Sequence, residues 1–392
     1  MSVLYALFFC LALLVAMPVI ILFLQIFLAF VLRKDDADDS LTDKRLVVLV
    51  PAHNESLVIG DTLSAIIPQL REGDRVLVVA DNCSDDTAKI VRACGAEVVE
   101  RENLEQRGKG FALDFGVRHI ADNPPDVLLI VDADCQVTKG GLLRLASVCL
   151  SRQRPVQGLY LMTSPIGSGL KTRLAEFAWC VKNEVRPLGW LRLGLPCQLM
   201  GTGMAFPWPM AARMDLANAN IVEDMKLGID LAVAGTPPLF CPQALVTSEF
   251  PSGEKATQSQ RTRWEHGHLG MIIQEFPRLL GQALIRRDIR LLGMALDLSV
   301  PPLALLVLML FSTLVITGLG ALLAGFVIPF YLAGFSFMMF ACAIMLAWYG
   351  WGKRIVSLSE LLSVPGYILA KIPLYLGFAI RRQKDWVRTD RD

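Results

Sequence analysis

Two aspartates one residue apart, Asp132 and Asp134, come directly after the apolar run Leu128-Leu-Ile-Val131. Four consecutive apolar residues read as a strand buried on both faces, because a half-exposed strand would alternate. The carboxyl end of such a strand is where open α/β sheets bind ligands, and strand alternation would turn both carboxylates to the same side. So placed, they suit one divalent cation and the phosphates it carries. A second acidic pair, Glu223-Asp224, reads either as a favourable charge pair at a helix amino terminus or as a source of a carboxylate that takes a proton from a hydroxyl. Lys109 is a point charge in a glycine-rich loop. That loop is no dinucleotide fingerprint, since Gly108-Lys-Gly110-Phe-Ala-Leu113 lacks the third glycine, and the chain contains no Gly-x-x-x-x-Gly-Lys-Ser/Thr phosphate loop.

The elements that must hold these residues alternate along the chain. Leu46-Val-Val-Leu-Val50 predicts a buried strand, residues 56–70 a helix ended or kinked at Pro68, and Arg75-Val-Leu-Val-Val-Ala80 a second buried strand. Residues 87–94 read as a helix, 96–99 as a short strand and 111–120 as a further helix leading to the strand before Asp132. Strand and helix in alternation predict a parallel, doubly wound sheet.

The whole chain is too apolar for an ordinary soluble enzyme, with 54% hydrophobic residues and a mean hydropathy of +0.47. A net charge of +1 gives no polyanion-binding character and no reason to expect a nucleic-acid partner. Nine scattered cysteines without a Cys-x-x-Cys argue against a disulfide framework or zinc site and suit a reducing compartment.

Residues 2–32 carry no charge and predict one membrane span, tilted or kinked at Pro18. The run is too long, and too poor in basic residues at its start, for a cleaved signal peptide. Arg33-Lys34 and Lys44-Arg45 place the following domain on the cytoplasmic side by the positive-inside rule, after a short linker over 33–45. Residues 266–297 predict amphipathic helices on the membrane surface, interrupted at Pro277. Residues 298–352 are again uncharged and long enough for two spans with a turn near Gly318 to Gly325. Residues 361–380 hold Pro365, Lys371 and Pro373 before the basic Arg381-Arg382-Gln-Lys384, so within 353–392 a re-entrant or interfacial helix is expected, a third carboxy-terminal span being the alternative.

Taken in order, Pro51-Ala-His-Asn-Glu55, Asp81 with Ser84-Asp-Asp-Thr87, Arg107-Gly-Lys-Gly110 and Asp132-Ala-Asp134 resemble the first half of a family-2 glycosyltransferase. Met200-Gly-Thr-Gly-Met-Ala-Phe206, Ile221-Val-Glu-Asp224 and Gln260-Arg-Thr-Arg-Trp264 resemble its second half, the last being the Gln-x-x-Arg-Trp signature of membrane-integrated polysaccharide synthases and their relatives. The resemblance covers residues 46–265 and implies a cytosolic α/β domain of GT-A fold that uses nucleotide-sugar donors, with Mg2+ or Mn2+. It implies Asp134 as metal ligand, and Asp132 either as a second ligand or against the ribose or sugar of the donor. It implies Ala52, His53 and Glu55 in the nucleotide pocket, with His53 where an aromatic ring often stacks on the base. Asp81 would accept from a uracil ring, and Lys109 would lie by the diphosphate. Gly201, Thr202 and Gly203 fall on the acceptor-side loop, Trp264 would stack on the acceptor sugar, and Gln260 and Arg263 would touch the diphosphate or the loop covering it. Asp224 matches the general base and Glu223 its neighbour; with one base and no carboxylate nucleophile, a single displacement with inversion is implied. His266 and His268, without other metal-type ligands nearby, read as structural or as residues that support the site from behind.

Three functions stay open on the sequence. The first is stepwise transfer of a hexosyl or N-acetylhexosaminyl group to a polyprenyl-diphosphate-linked glycan in exopolysaccharide assembly. In that reading the enzyme sits multi-pass in the inner membrane, in contact with membrane lipids and other assembly proteins, its catalytic domain facing the cytoplasm. The second is a processive synthase of the cellulose, chitin or hyaluronan type, which the Gln-x-x-Arg-Trp match favours and the small number of spans disfavours. The third is a non-catalytic nucleotide-sugar-binding scaffold, which would be marked by loss of the acidic residues; Asp132, Asp134, Asp224 and Trp264 are all present.

Overall fold

The computed structural model describes residues 2–31, 43–217, 222–251, 254–363 and 372–380. Helix α1 (Ser2–Ala29) comes first. It is followed by β1 (Leu46–Ala52), α2 (Ile59–Ile66), β2 (Arg75–Asp81), α3 (Thr87–Ala93), β3 (Glu97–Arg101), α4 (Lys109–Ile120) and β4 (Val127–Ile130). Then come β5 (Gln136–Val137), α5 (Gly141–Arg152), β6 (Val156–Thr163), α6 (Leu170–Cys180), α7 (Arg186–Arg192), β7 (Met204–Pro207) and α8 (Trp208–Ala211). The chain continues with α9 (Glu223–Val233), β8 (Leu239–Glu249), α10 (Glu254–Arg286), α11 (Ile289–Leu298), α12 (Leu303–Ala324), α13 (Val327–Gly350), α14 (Leu358–Leu362) and α15 (Ile372–Ile380). The chain groups into two compact units, one drawing on 34–165 and 196–259, the other on 1–33, 166–195 and 260–383. Residues 166–195, inside the stretch read from the sequence as one domain, thus belong with the later helices.

The first unit is built on an eight-stranded sheet in the order β3-β2-β1-β4-β7-β6-β8-β5. β1 is parallel to β2 and β4, with Val48 opposite Val76 and Leu129. The expected all-parallel sheet ends there. β7 runs antiparallel to β4, pairing Leu128 with Phe206, and antiparallel to β6, while β5 is antiparallel to β8. The sheet is therefore mixed, because Met204-Ala-Phe-Pro207 returns as an antiparallel strand between β4 and β6. One layer of core lies under α4, where Leu113, Val117 and Ile120 join Leu49, Leu77, Leu128 and Phe206. The carboxyl ends of β1, β2 and β4 open at the point where the order of parallel strands reverses, the crevice in which such sheets bind ligands.

In the second unit Val19, Leu22 and Ile26 of α1 pack with Trp190 of α7, Leu306 and Leu310 of α12, and Phe340 and Ala343 of α13. α7 lies so close to α1 that a Cβ at Gly189 would stand 1.9 Å from the Gln25 carbonyl oxygen. Beside that contact Arg186 Nε donates to Gln25 Oε1 at 3.0 Å, and both residues reach Asp297 Oδ1, at 2.8 and 2.7 Å. Gln25, Arg186 and Asp297 therefore satisfy one another, as an apolar setting requires. Among the described residues three helical stretches, Val3–Ala29, Leu303–Ala324 and Val327–Gly350, are long and apolar enough to cross a membrane. α10 continues through Pro277 where the sequence suggested an interruption; one missing N–H is tolerated in a 33-residue helix. Residues 33–42, Lys371 and the basic residues 381–384 lie outside the described residues.

Candidate active site

Three loops at the carboxyl ends of the parallel strands, and the starts of two helices, bring most of the chemistry-bearing residues of the sheet unit together. Asp132 and Asp134 leave β4 in a turn, closed by the Cys135 amide donating to the Asp132 carbonyl at 3.1 Å. The turn, and not continued strand alternation, gathers them: ligand atoms of Asp132, Asp134 and Cys135 lie within 4.8 Å of one another. Two carboxylates are hard oxygen donors that fit Mg2+ or Mn2+. Burial and the charges of Asp134 and Asp132 push the Cys135 thiol well above its ordinary value.

Lys109 is the first residue of α4, two positions ahead of the start expected from the sequence. Its ammonium lies 2.5 Å from Asp132 Oδ1 and donates to the Gly201 carbonyl at 2.7 Å. Burial would lower the pKa of Lys109, but Asp132, Glu223 and Asp224 outweigh it and hold the group charged. Asp132 is shifted up by burial, with Lys109 pulling it down and Asp134 adding to the rise.

Glu223 and Asp224 form the first turn of α9, so their charges suit the helix dipole. They are not merely a solvated pair. Glu223 is pushed up to about 7 by burial and by Asp224 beside it, against the pull of Lys109. Asp224 faces the loop Met200 to Gly203: a Cβ built on Gly201 would lie 3.3 Å from Asp224 Oδ2 and 3.5 Å from Lys109 Nζ. Gly201 and Gly203 have φ of +89° and +64°, conformations that favour glycine. Thr202 between them is fully buried, and its Oγ1 accepts from the Asp132 amide at 3.0 Å. Behind the carboxylates a cavity of about 530 Å³ is lined by Leu113, Met204, Met210, Met214 and Leu227 on its apolar side and by Lys109, Glu223 and Asp224.

The other expected nucleotide-side residues form a second cluster at the ends of β1 and β2. Ala52 is buried at the end of β1. His53 Nδ1 is 2.6 Å from the Asp81 carbonyl oxygen, so that nitrogen carries the proton and the ring is held at the β2 end. The Glu55 amide donates to Thr87 Oγ1 at 2.9 Å and the Ser56 amide to Asp85 at 3.1 Å, stitching the loop after β1 to the loop after β2. Burial would raise the Asp85 carboxyl, but hydrogen bonds from Thr87 and Ser56 bring it down to about 2. Asp81 Oδ1 accepts from Arg101 at 2.6 Å, both side chains 8% exposed. Arg101 is a buried neighbour of the expected site residues that the sequence did not mark; a charged residue ending a short strand carries no motif. Gln157, fully buried on β6, is the other such residue.

Arg263 and Trp264 belong to the helical unit. There Trp264 packs on Trp179 with ring centroids 4.8 Å apart, and the Lys182 ammonium lies over Trp179. The Gln260 backbone is part of α10; its side chain, like residue Ile221 of the Ile-Val-Glu-Asp motif, lies outside what the structure describes. His266 bonds the Leu374 carbonyl at 3.1 Å, and burial drives the His268 pKa down, both consistent with structural histidines.

A family profile described as "Glycosyltransferase like family 2" matches residues 44–267. A probable glycosyltransferase of Bacillus subtilis, YdaM, is 26% identical over 245 residues, 59% of this chain and 56% of that protein. Glucomannan 4-beta-mannosyltransferase 7 of Arabidopsis thaliana is 25% identical over 259 residues, 61% of this chain and 45% of its own length. The chain thus spans about half the length of the curated relatives it matches. Among solved structures, the mannosyltransferase PcManGT of Pyrobaculum calidifontis, in complex with GDP-Man and Mn2+, superposes with a TM-score of 0.54. At 18% identity, over 87% of this chain and 99% of that one, it carries the fold, a GT-A-like mixed sheet followed by helices. With the profile covering more than half of its 392 residues, the chain belongs to glycosyltransferase-like family 2.

Proposed function

We propose that this chain is a membrane-bound, inverting glycosyltransferase. It would take a hexosyl or N-acetylhexosaminyl group from a nucleotide sugar, preferably a UDP-sugar, and give it to a hydroxyl of a growing polyprenyl-diphosphate-linked glycan. The observation that carries the reading is the meeting of Lys109, the Asp132–Asp134 turn, Gly201 and Asp224 at one end of the sheet. Asp134 and Asp132 would hold a divalent cation, which when bound neutralises charge on the departing diphosphate. Lys109 stays charged throughout and sits at the amino terminus of α4, so ammonium and helix dipole favour an anion at the same place. Asp224 accepts the proton of the acceptor hydroxyl as that oxygen bonds to the anomeric carbon. Glu223 beside it is pushed up to about 7 by burial and by the Asp224 charge. No second carboxylate is needed as nucleophile, so the sugar inverts in one displacement. Asp81, His53, Ala52 and Glu55 form the nucleotide side.

A processive polysaccharide synthase is the second reading. It is favoured by Gln260-x-x-Arg263-Trp264 and by the relative named for glucomannan synthesis. In either reading the enzyme works from the cytoplasmic side of a bacterial-type inner membrane, with lipid and other assembly proteins around it. The test is a product assay on membranes carrying the full chain, given Mn2+ or Mg2+ and a panel of radiolabelled nucleotide sugars. Metal-dependent label in organic-soluble lipid supports stepwise transfer, and label in high-molecular-weight material supports the synthase. Label that survives chelation of the metal would overturn the role given to Asp132 and Asp134.

A further inference from the structure

Gln157 ties the Met200–Gly203 loop at both ends. It lies on β6, opposite Met204 of β7, and is fully buried. Its Oε1 accepts from the Met200 amide at 2.8 Å. Its Nε2 donates to the Thr202 and Gly158 carbonyl oxygens, both at 2.9 Å. A primary amide offers an acceptor and two donors at one end of a flexible stem, and all three functions are used. The loop so held bears two of the contacts on which the site depends. The Gly201 carbonyl accepts from Lys109, and the Thr202 hydroxyl accepts from the amide that opens the Asp132–Asp134 turn. With φ positive at Gly201 and Gly203, the loop's shape is one that its own backbone does not enforce.

We infer that Gln157 is a positioning residue: its amide fixes the Met200–Gly203 loop so that this loop, in turn, fixes the Lys109 ammonium and the Asp132–Asp134 turn. The inference rests on the reading of Lys109 and the two aspartates as the donor side of a glycosyltransferase. Gln157→Leu removes all three bonds at similar volume. Gln157→Glu keeps the stem and an acceptor for the Met200 amide but turns a carboxylate oxygen toward two carbonyl oxygens. Thr202→Val leaves Gln157 in place and removes the hydroxyl that accepts from the Asp132 amide and bonds the Cys135 thiol.

The experiment uses the full chain in detergent or nanodiscs, with two readouts. In hydrogen exchange without ligand, both Gln157 variants should exchange at least tenfold faster at Met200–Gly203 and around Asp132–Cys135, while peptides from β1 and β2 keep wild-type protection. Thr202→Val should loosen only the peptide around Asp132. With Mn2+ and UDP as probes, Mn2+ affinity measured by electron paramagnetic resonance should fall at least tenfold in all three variants, well below their melting temperatures. Exchange that rises evenly across the sheet would make Gln157 a core residue only and overturn the inference. So would a loosened loop with unchanged Mn2+ affinity, or unchanged exchange at Met200–Gly203. If the wild type fails to bind Mn2+ with UDP, the donor-site reading falls, and the Gln157 inference falls with it even if exchange at Met200–Gly203 still reports a clamp. Should Gln157→Leu not fold, Gln157→Glu and Thr202→Val carry the same test.

Discussion

Replacing Gly201 by alanine perturbs the site at its narrowest point. At φ +89° any L-residue is strained, at a cost of about 1–2 kcal/mol. The new Cβ would stand 3.3 Å from Asp224 Oδ2, so that carboxylate must give by a few tenths of an ångström, and 3.5 Å from Lys109 Nζ, an ordinary contact. A misplacement of ~1 Å can cost about a hundredfold in rate, so a shift of a few tenths of an ångström should cost roughly three- to tenfold. Thermal stability should fall by about 2–8 °C, given ~2–4 °C per kcal/mol for a domain of this size. Two companions isolate the causes. Gly203→Ala brings its Cβ to 2.7 Å from Val246 Cγ2, away from the carboxylates, and should cost more stability than Gly201→Ala. Gly95→Ala, at φ +77° with nothing within 4 Å, should lose a little stability and no turnover. The assay is nucleotide release from the donor per folded molecule, beside a thermal scan of each purified variant. Wild-type turnover in Gly201→Ala, or equal losses of turnover in Gly95→Ala, would refute the placement of Gly201 between Asp224 and Lys109.

Two further outcomes follow from the electrostatics. Glu223 titrates near 7 in the folded protein against an ordinary 4.5, so the native state holds this proton more tightly than the unfolded chain. Stability from this group is present below pH ~4.5 and is lost as pH rises to about 7; Glu223→Gln should therefore gain melting temperature relative to wild type at pH 8 compared with pH 5, and a constant difference would contradict it. Arg101→Met leaves Asp81 buried without its partner at 2.6 Å and should destabilise the protein by about 3 kcal/mol in a denaturant titration, against little change if the pair were solvated.

Much of the site was legible because its residues lie in short motifs at strand ends, where local pattern and ligand chemistry coincide. Asp132 and Asp134 stood out as a pair after a four-residue apolar run, although a turn and not strand alternation brings them together. Lys109 was legible as a charge among glycines, but its place at the head of α4 depends on Gly108 adopting φ +125°, which composition does not dictate. Gln157 was not legible: a glutamine between Val156 and Gly158 has no signal until β7 returns beside β6 and brings Met200 and Thr202 within reach. The antiparallel β7 escaped for the same reason, since pairing partners far apart in sequence leave no local period. The grouping of residues 166–195 with the later helices depends on packing such as that of Phe177 and Trp190 against α1, α12 and α13. Their amphipathic spacing is that of any half-buried helix.

The proposed function turns on Asp224 as the base of a glycosyl transfer whose donor is held by the Asp132–Asp134 turn and Lys109. The most direct measurement compares wild type with Asp224→Asn in donor binding and in transfer, using the nucleotide sugar that labels product in membranes. The account predicts donor affinity within a few-fold of wild type and transfer reduced by about 10²–10⁴-fold. Transfer at the wild-type rate in Asp224→Asn would contradict it.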